Sequence, residues 1–97
     1  MATLYVAEFE RPRNQWVDIA NAPPLAEQTI TISGASTQVT NKFNAKTAMI
    51  RVHTDSICSI AIGSNPTANT TNMRLPANAI EYFSVSPNML IAAITNT

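Results

Sequence analysis

The sequence predicts an all-β protein, a single small β-sandwich of about seven to eight strands that is either jelly-roll-like or immunoglobulin-like. Short segments alternate between apolar and polar residues with period two, which is typical of strands that have one face on a core. Turn-forming Asn, Asp, Ser and Pro residues separate these segments at intervals of roughly 8 to 15 residues. No segment sustains the 3.6-residue period of an amphipathic helix. The strand topology stays open.

Along the chain, the signal for a strand is strong in some segments and weaker in others. Alternation predicts strands over residues 3–9, 28–33, 48–53, 57–62, 80–85 and 89–95, and shorter extended segments over 16–19, 38–40 and 73–76. Pro12 and the pair Pro23-Pro24 make a helix over residues 11–26 unfavourable, because proline lacks the backbone donor that a helix needs. The strongest loop signal is the segment 63–71, which contains Asn65-Pro66.

The two central strands pose a question of register. Ile50 and Val52 should face the core from one strand, and Ile60 and Ile62 from the next. Residues that oppose each other in an antiparallel ladder share a face, so pairing Val52 with Ile60 requires a loop with an odd number of residues. A two-residue Asp55-Ser56 turn does not satisfy this condition. We therefore expect a bulge, a five-residue loop, or a crossing from one sheet to the other.

Length and charge limit the function classes. The 97 residues form one domain, 1–97, with a net charge of zero and only 12% charged residues. A neutral surface favours association, so we expect a homo-oligomer or a protein docked on a larger particle more than a monomer. Without clustered Lys and Arg we expect no nucleic-acid partner. We also expect no signal peptide and no membrane partner. The lone Cys58 suits synthesis in a reducing cytosol.

The residues with chemical potential do not form a recognisable site. Alternation places Cys58 inward and His53 outward, which argues against a Cys–His pair. Glu8 and Glu10 share a strand face, and we interpret them as solvent-facing acids, not as a hydrolase pair. Neither metal-ligand spacing nor a phosphate-binding glycine loop is present. We expect no enzyme activity, no catalytic residues, no metal and no cofactor.

Several apolar residues fall on strand faces that should be wet. We predict an interface made of Leu4, Val6, Trp16, Met49 and Ile57, with Met89 or Leu90 beside them. The alternative for each is cover by a loop or by the second sheet. Trp16 is the preferred anchor, and Trp16→Ala should weaken assembly without unfolding the domain.

Five segments carry a resemblance to a known group of proteins. They are MATLYVAEF at 1–9, AEQTITI at 26–32, IRVHTDSICSIAIGSNPTA at 50–68, MRLPA at 73–77 and EYFSV at 81–85. Together they resemble small virion structural proteins encoded among the head genes of tailed bacteriophages and prophages. The resemblance implies a capsid decoration (cement) protein, made in the bacterial cytoplasm, that docks as a dimer or trimer on the major capsid protein at the virion surface.

An alternative function is a head-fibre or tail-associated domain that binds a host glycan or protein receptor. Aromatic residues lining a groove would favour it, since sugars stack on aromatic faces. The chain has only six aromatic residues, of which we expect at least three in the core. We also expect the chain to be a complete domain and not one module of a long fibre. Both expectations favour decoration.

Overall fold

The computed structural model describes residues 2–10 and 23–97. Over these residues the chain forms eight strands and no helix. The strands are β1 (Thr3–Phe9), β2 (Ala26–Thr31), β3 (Thr37–Gln38), β4 (Met49–Thr54), β5 (Cys58–Gly63), β6 (Met73–Leu75), β7 (Ile80–Ser84) and β8 (Leu90–Thr95). The extended segment predicted over 16–19 lies outside the described residues.

The strands form two four-stranded antiparallel sheets. Sheet A has the order β2-β1-β4-β7, and sheet B has the order β3-β8-β5-β6. The predicted all-β sandwich is confirmed. Eight strands are the number found in a jelly roll, whereas immunoglobulin sandwiches have seven in the constant type and nine in the variable type.

The central strands do not form a hairpin, because β4 belongs to sheet A and β5 to sheet B. The chain crosses between the sheets at residues 55–57, which is one of the three outcomes that the register predicted. Asp55 fixes the crossing to the start of β1. Its carboxylate accepts a hydrogen bond from the Thr3 N–H at 2.8 Å, and its own N–H donates to the Thr3 carbonyl at 3.2 Å.

The core lies between the inner faces of the two sheets. Sheet A contributes Leu4, Val6, Ile30, Ile50 and Val52, and sheet B contributes Cys58, Ile60, Leu75, Ile91 and Ala93. The connection after β3 adds Phe43, which is 1% exposed. Its backbone joins the core elements, since the Phe43 N–H donates to the Met89 carbonyl at 2.8 Å. Burial of these β-branched and aromatic side chains is the main stabilising term of the fold.

Two asparagines make the turns that need a left-handed backbone. Asn78, between β6 and β7, has φ 65°, and Asn88, between β7 and β8, has φ 64°. Neither Gly34 nor Gly63 has a positive φ. Asparagine tolerates this conformation better than other residues with a Cβ. The expectation that Asn, Asp, Ser and Pro make the turns of this chain therefore holds at Asn78 and Asn88.

Candidate binding face on the outer surface of sheet A

The outer face of sheet A carries two parallel rows of side chains that the ladder register defines. One row runs across the sheet through Thr29, Tyr5, His53 and Ile80. The next runs through Glu27, Ala7, Arg51 and Tyr82. Directly opposed residues on neighbouring strands lie close enough for their side chains to touch. The register therefore assembles a mixed aromatic, cationic and apolar surface, which we call the sheet A face.

Exposure singles out this face. Tyr5, Ile80 and Tyr82 are 47%, 48% and 52% exposed, and they are three of the four large hydrophobic side chains that the described part of the chain leaves exposed. The fourth is Met73, on β6 of sheet B, at 54%. The rings of Tyr5 and His53 pack at a centroid distance of 5.7 Å with a 31° tilt. This packing restrains the Tyr5 ring and leaves part of it accessible to a partner.

A shallow depression of about 610 Å³ lies on one half of this face. Its lining residues are Tyr5, Val6, Ala7, Glu27, Gln28, Thr29, Arg51 and His53. The depression lies over Ala7, because the side chain of this residue on β1 is shorter than those of its ladder partners, Glu27 on β2 and Arg51 on β4. A low point in the sheet is therefore surrounded by the two rings of Tyr5 and His53, one carboxylate, one guanidinium and the Thr29 hydroxyl. Such a set can stack on a flat apolar group and donate or accept hydrogen bonds beside it.

The outer face of sheet B, by contrast, is covered by the loop 64–72. The Gln38 side-chain amide donates to the Pro66 carbonyl at 2.7 Å, and the Ser36 hydroxyl accepts the Ala68 N–H at 2.8 Å. The Asn96 side-chain amide donates to the Thr70 carbonyl at 3.2 Å. Beneath this loop, Ser59 and Ala92 are fully buried although they point away from the core between the sheets. Only one sheet thus presents a broad aromatic face to solvent over the described residues.

The predicted interface residues lie elsewhere. Leu4 and Val6 are 0% and 2% exposed and belong to the core, so their predicted place on a wet face is wrong. The physical reason is that β1 is an inner strand of sheet A, whose Leu4 and Val6 side chains point between the sheets while Tyr5 and Ala7 point outward.

Two further interface residues are also withdrawn from solvent. Met49 is 8% exposed and opposes Phe9, itself 7% exposed, in the ladder between β1 and β4. Ile57 is partly buried at the crossing between the sheets. Met89 is partly buried and Leu90 is 9% exposed. Trp16 lies outside the described residues, so its role as an anchor stays a prediction.

Tyr5 and Tyr82, which the sequence did not propose for the interface, form the accessible aromatic part of the sheet A face. A signal for Tyr5 was present in the alternation of β1, where Tyr5, Ala7 and Phe9 share one face and Leu4, Val6 and Glu8 share the other. Glu8 made the second set look like the wet face. The structure shows the reverse.

Glu8 is 1% exposed, so the interpretation of Glu8 as a solvent-facing acid is wrong. Its carboxylate oxygen Oε1 accepts hydrogen bonds from the Asn44 N–H at 2.7 Å and from the Thr47 hydroxyl at 2.8 Å. A buried carboxylate needs such donors to offset its lost hydration. Glu8 therefore fixes the segment before β4 to β1, which is a structural task.

His53 and Cys58 are separated as predicted. His53 lies on the sheet A face, whereas Cys58 is fully buried in the core on β5. Burial raises the pKa of the Cys58 thiol; a hydrogen bond between this thiol and the Thr54 hydroxyl at 3.6 Å lowers that pKa, and the charge of Asp55 raises it. The buried thiol stays protonated at neutral pH and does not meet His53.

Within residues 2–10 and 23–97 no three His, Cys, Asp or Glu side chains are grouped closely enough to hold a metal ion. The same residues contain no helix that could span a membrane. Comparisons with protein-family models, with curated proteins and with solved structures found no match.

Proposed function

We propose that this protein is a non-enzymatic virion structural protein that docks on the assembled capsid of a tailed bacteriophage and stabilises it. The partner in this proposal is the major capsid protein, and the docking surface is the sheet A face. The observation that carries the choice of surface is the grouping of Tyr5, Ile80 and Tyr82, about half exposed, on one sheet. The resemblance of five sequence segments to phage head proteins supports the choice of partner.

The composition of the face suits a clamp on a large partner. Tyr is enriched in protein interfaces because it buries a large apolar area and keeps a hydroxyl for hydrogen bonding. Arg51 lies between Ala7 and Tyr82 and adds a cation that can pair with a carboxylate of the partner. The zero net charge of the chain removes long-range repulsion between neighbouring copies on a shell.

The first experiment measures copy number in purified particles, by quantitative mass spectrometry against the major capsid protein. A ratio approaching one copy per capsid subunit supports decoration. A handful of copies per particle supports a fibre or tail location, and complete absence overturns both.

A second experiment tests the surface. Shells prepared without this protein are mixed with the wild type, with Tyr82→Ala and with Met73→Ala. Met73 is the matched control, because it is as exposed as Tyr82 but lies on sheet B. Docking through the sheet A face predicts loss of binding for Tyr82→Ala alone. Equal binding by all three proteins would contradict this choice of surface.

The second candidate function is a domain that binds a host glycan, and the depression beside Tyr5 is the observation that favours it. An exposed ring next to Glu27, Thr29 and Arg51 offers a sugar both a stacking surface and hydrogen-bonding groups. Calorimetric titration with purified host surface polysaccharide tests it. Binding that Tyr5→Ala abolishes and Tyr82→Ala preserves would support the glycan function over docking, because Tyr82 is not among the residues that line the depression.

A further inference from the structure

Among residues 2–10 and 23–97, strand β7 forms an unpaired edge of sheet A on which the charge of Glu81 is the only one of the usual protections against pairing. Ile80–Ser84 has five residues and contains no Lys, Pro or Gly. Natural proteins usually blunt such edges with short strands, charges, prolines or covering loops, because free backbone groups at an edge recruit another strand. Glu81 is the only charged residue in β7.

The other three sheet edges carry such protection. The edge strands of sheet B, β3 and β6, have two and three residues. The β2 edge of sheet A is engaged by the connection after β3, where the Gln28 side-chain amide donates to the Asn41 carbonyl at 2.8 Å and the Asn41 N–H donates to the Gln28 side chain at 3.2 Å. Among the described strands, none pairs with the outer edge of β7.

The backbone groups on this edge can be assigned from the ladder. The Val85 N–H donates to the Ala48 carbonyl at 3.0 Å, and the Thr54 N–H donates to the Ala79 carbonyl at 3.2 Å. Since bonded and non-bonded positions alternate in an antiparallel pair, Glu81 and Phe83 direct their backbone groups toward β4. The N–H and C=O groups of the even-numbered residues, Ile80, Tyr82 and Ser84, therefore point away from the sheet.

We propose that a second copy of this chain pairs with this edge, β7 against β7 in antiparallel orientation, with Tyr82 on the twofold axis. The two A sheets then form one continuous eight-stranded sheet. This inference goes beyond the proposed docking on a capsid, and it specifies the geometry of the homo-oligomer that the neutral surface predicts.

Charge and overlap select this register. Centring the pair on Tyr82 uses all five residues, with Ile80 opposite Ser84 of the second copy and Glu81 opposite Phe83. Centring it on Glu81 would place two carboxylates directly opposite each other, which is destabilising. Centring it on Phe83 would shorten the overlap. The Tyr82 register thus satisfies the free edge without opposing like charges, and the zero net charge of the chain adds no repulsion.

The dimer would also extend the sheet A face. Tyr82 lies beside Arg51, so the row of Ala7, Arg51 and Tyr82 in one copy would continue into the same row of the other copy in reverse order. The two Tyr82 side chains would meet at the centre of the dimer, and the combined sheet A face would be twice as wide as in one copy. A twofold pair of this kind is an isologous contact, which closes and does not grow into a fibre.

Disulfide trapping tests the register. Across a hydrogen-bonded antiparallel pair the Cα atoms are about 5.5 Å apart, which is the spacing that a disulfide needs. Tyr82→Cys should therefore cross-link to itself under mild oxidation at least about tenfold faster than Tyr5→Cys, because pairing raises the effective thiol concentration. Tyr5 is the matched control, since it is similarly exposed on the same face but on an inner strand.

Two further controls complete the trapping experiment. Glu81→Cys should not cross-link, because equivalent residues would sit diagonally at about 7–8 Å, beyond disulfide reach. The wild type should not cross-link either, since Cys58 is buried. Cross-linking of Tyr5→Cys or Glu81→Cys as fast as Tyr82→Cys would overturn the proposal.

Sedimentation velocity on the purified wild type provides an independent measurement. We expect the wild type to show a monomer–dimer equilibrium. Tyr82→Lys should shift this equilibrium to the monomer, because two ammonium groups would oppose each other on the axis. Tyr5→Lys should leave the equilibrium unchanged. A wild type that stays monomeric at the highest soluble concentration would overturn the proposal, and so would a dimer that Tyr82→Lys does not dissociate. The measurement uses no capsid, so its failure is distinguishable from failure of docking.

Discussion

The Glu8 carboxylate accepts a hydrogen bond of 2.8 Å from the Thr47 hydroxyl, and both side chains are 1% exposed. The same carboxylate oxygen accepts the Asn44 N–H, so one buried charge serves two donors from a single segment. Strand β1 has no other described link of this kind to the residues that precede β4. The pair is therefore a specific polar contact in a sandwich held together mainly by apolar packing.

Removing the Thr47 hydroxyl tests the strength of this contact. Thr47→Val keeps the shape of the side chain but takes one donor from a buried carboxylate, and we expect a loss of about 1–3 kcal/mol in the free energy of unfolding. Urea denaturation provides the measurement. Thr29→Val on the exposed edge strand β2 is the control and should change stability by less than about 0.5 kcal/mol. Equal effects for the two variants would mean that the contact adds nothing.

The reversed faces of β1 lead to a second prediction. Leu4→Ala should lower the free energy of unfolding by about 2–5 kcal/mol, because it opens a cavity between the sheets. Tyr5→Ala should lower it by less than about 1 kcal/mol, because about half of that side chain is already in water. Thermal or urea denaturation of the two variants measures this difference. A larger loss for Tyr5→Ala would contradict the observed orientation of the strand.

Asn78 allows a test of backbone strain. Its φ of 65° is unfavourable for alanine and natural for glycine. We expect Asn78→Ala to lose about 1 kcal/mol of stability and Asn78→Gly to keep or raise it. The comparison by urea denaturation separates the backbone effect from the loss of the side chain, since both variants lack the amide. If glycine were no better than alanine, the backbone conformation would not limit this turn.

Cys58 gives a prediction in alkaline solution. Burial raises the pKa of this thiol in the folded protein, so the unfolded chain loses its proton at a lower pH. The stabilising contribution is complete below the unfolded pKa and is lost as the pH rises through the folded pKa. Cys58→Ala should therefore flatten the fall of unfolding free energy with increasing alkaline pH, whatever its effect at neutral pH.

Denaturation curves across the alkaline range measure this slope for the wild type and Cys58→Ala. Reaction with a thiol reagent is a companion measurement, in which the native protein should react far more slowly than the unfolded chain because Cys58 is buried. Identical slopes together with fast native labelling would show that the thiol is not shielded.

The sequence predicted much of the fold because alternation and turn chemistry are local signals. The crossing after Thr54 is the clearest case, since the parity of Val52 and Ile60 was incompatible with a tight hairpin whatever the rest of the chain did. Ile30 and Ile32 also face the core as their alternation indicated. The register between strands distant in sequence, such as Val6 opposite Val52, had no local signal.

The sequence did not predict the sheet A face, because the charged residue Glu8 suggested that the opposite face of β1 was exposed to solvent. Glu8 would identify a wet face in most strands, but here two donors from a segment about forty residues away make its burial tolerable. Tyr5 has the opposite character, an aromatic residue on the outer side of an inner strand. Which face of β1 is exposed depends on which face the second sheet covers. The packing of the two sheets is a property of the tertiary structure, so the sequence of β1 alone does not reveal it.

The two sheets interleave distant parts of the chain, and this has a consequence for how the protein folds. Strand β5 takes both of its neighbours, β8 and β6, from beyond the loop 64–72, and β4 takes β7 from the same side. A cut in that loop would leave two pieces, each holding strands whose hydrogen-bonding partners are on the other piece. We expect neither fragment to fold alone and the mixture to recover the native fold, so that a split version of this protein would report on the encounter of its two halves.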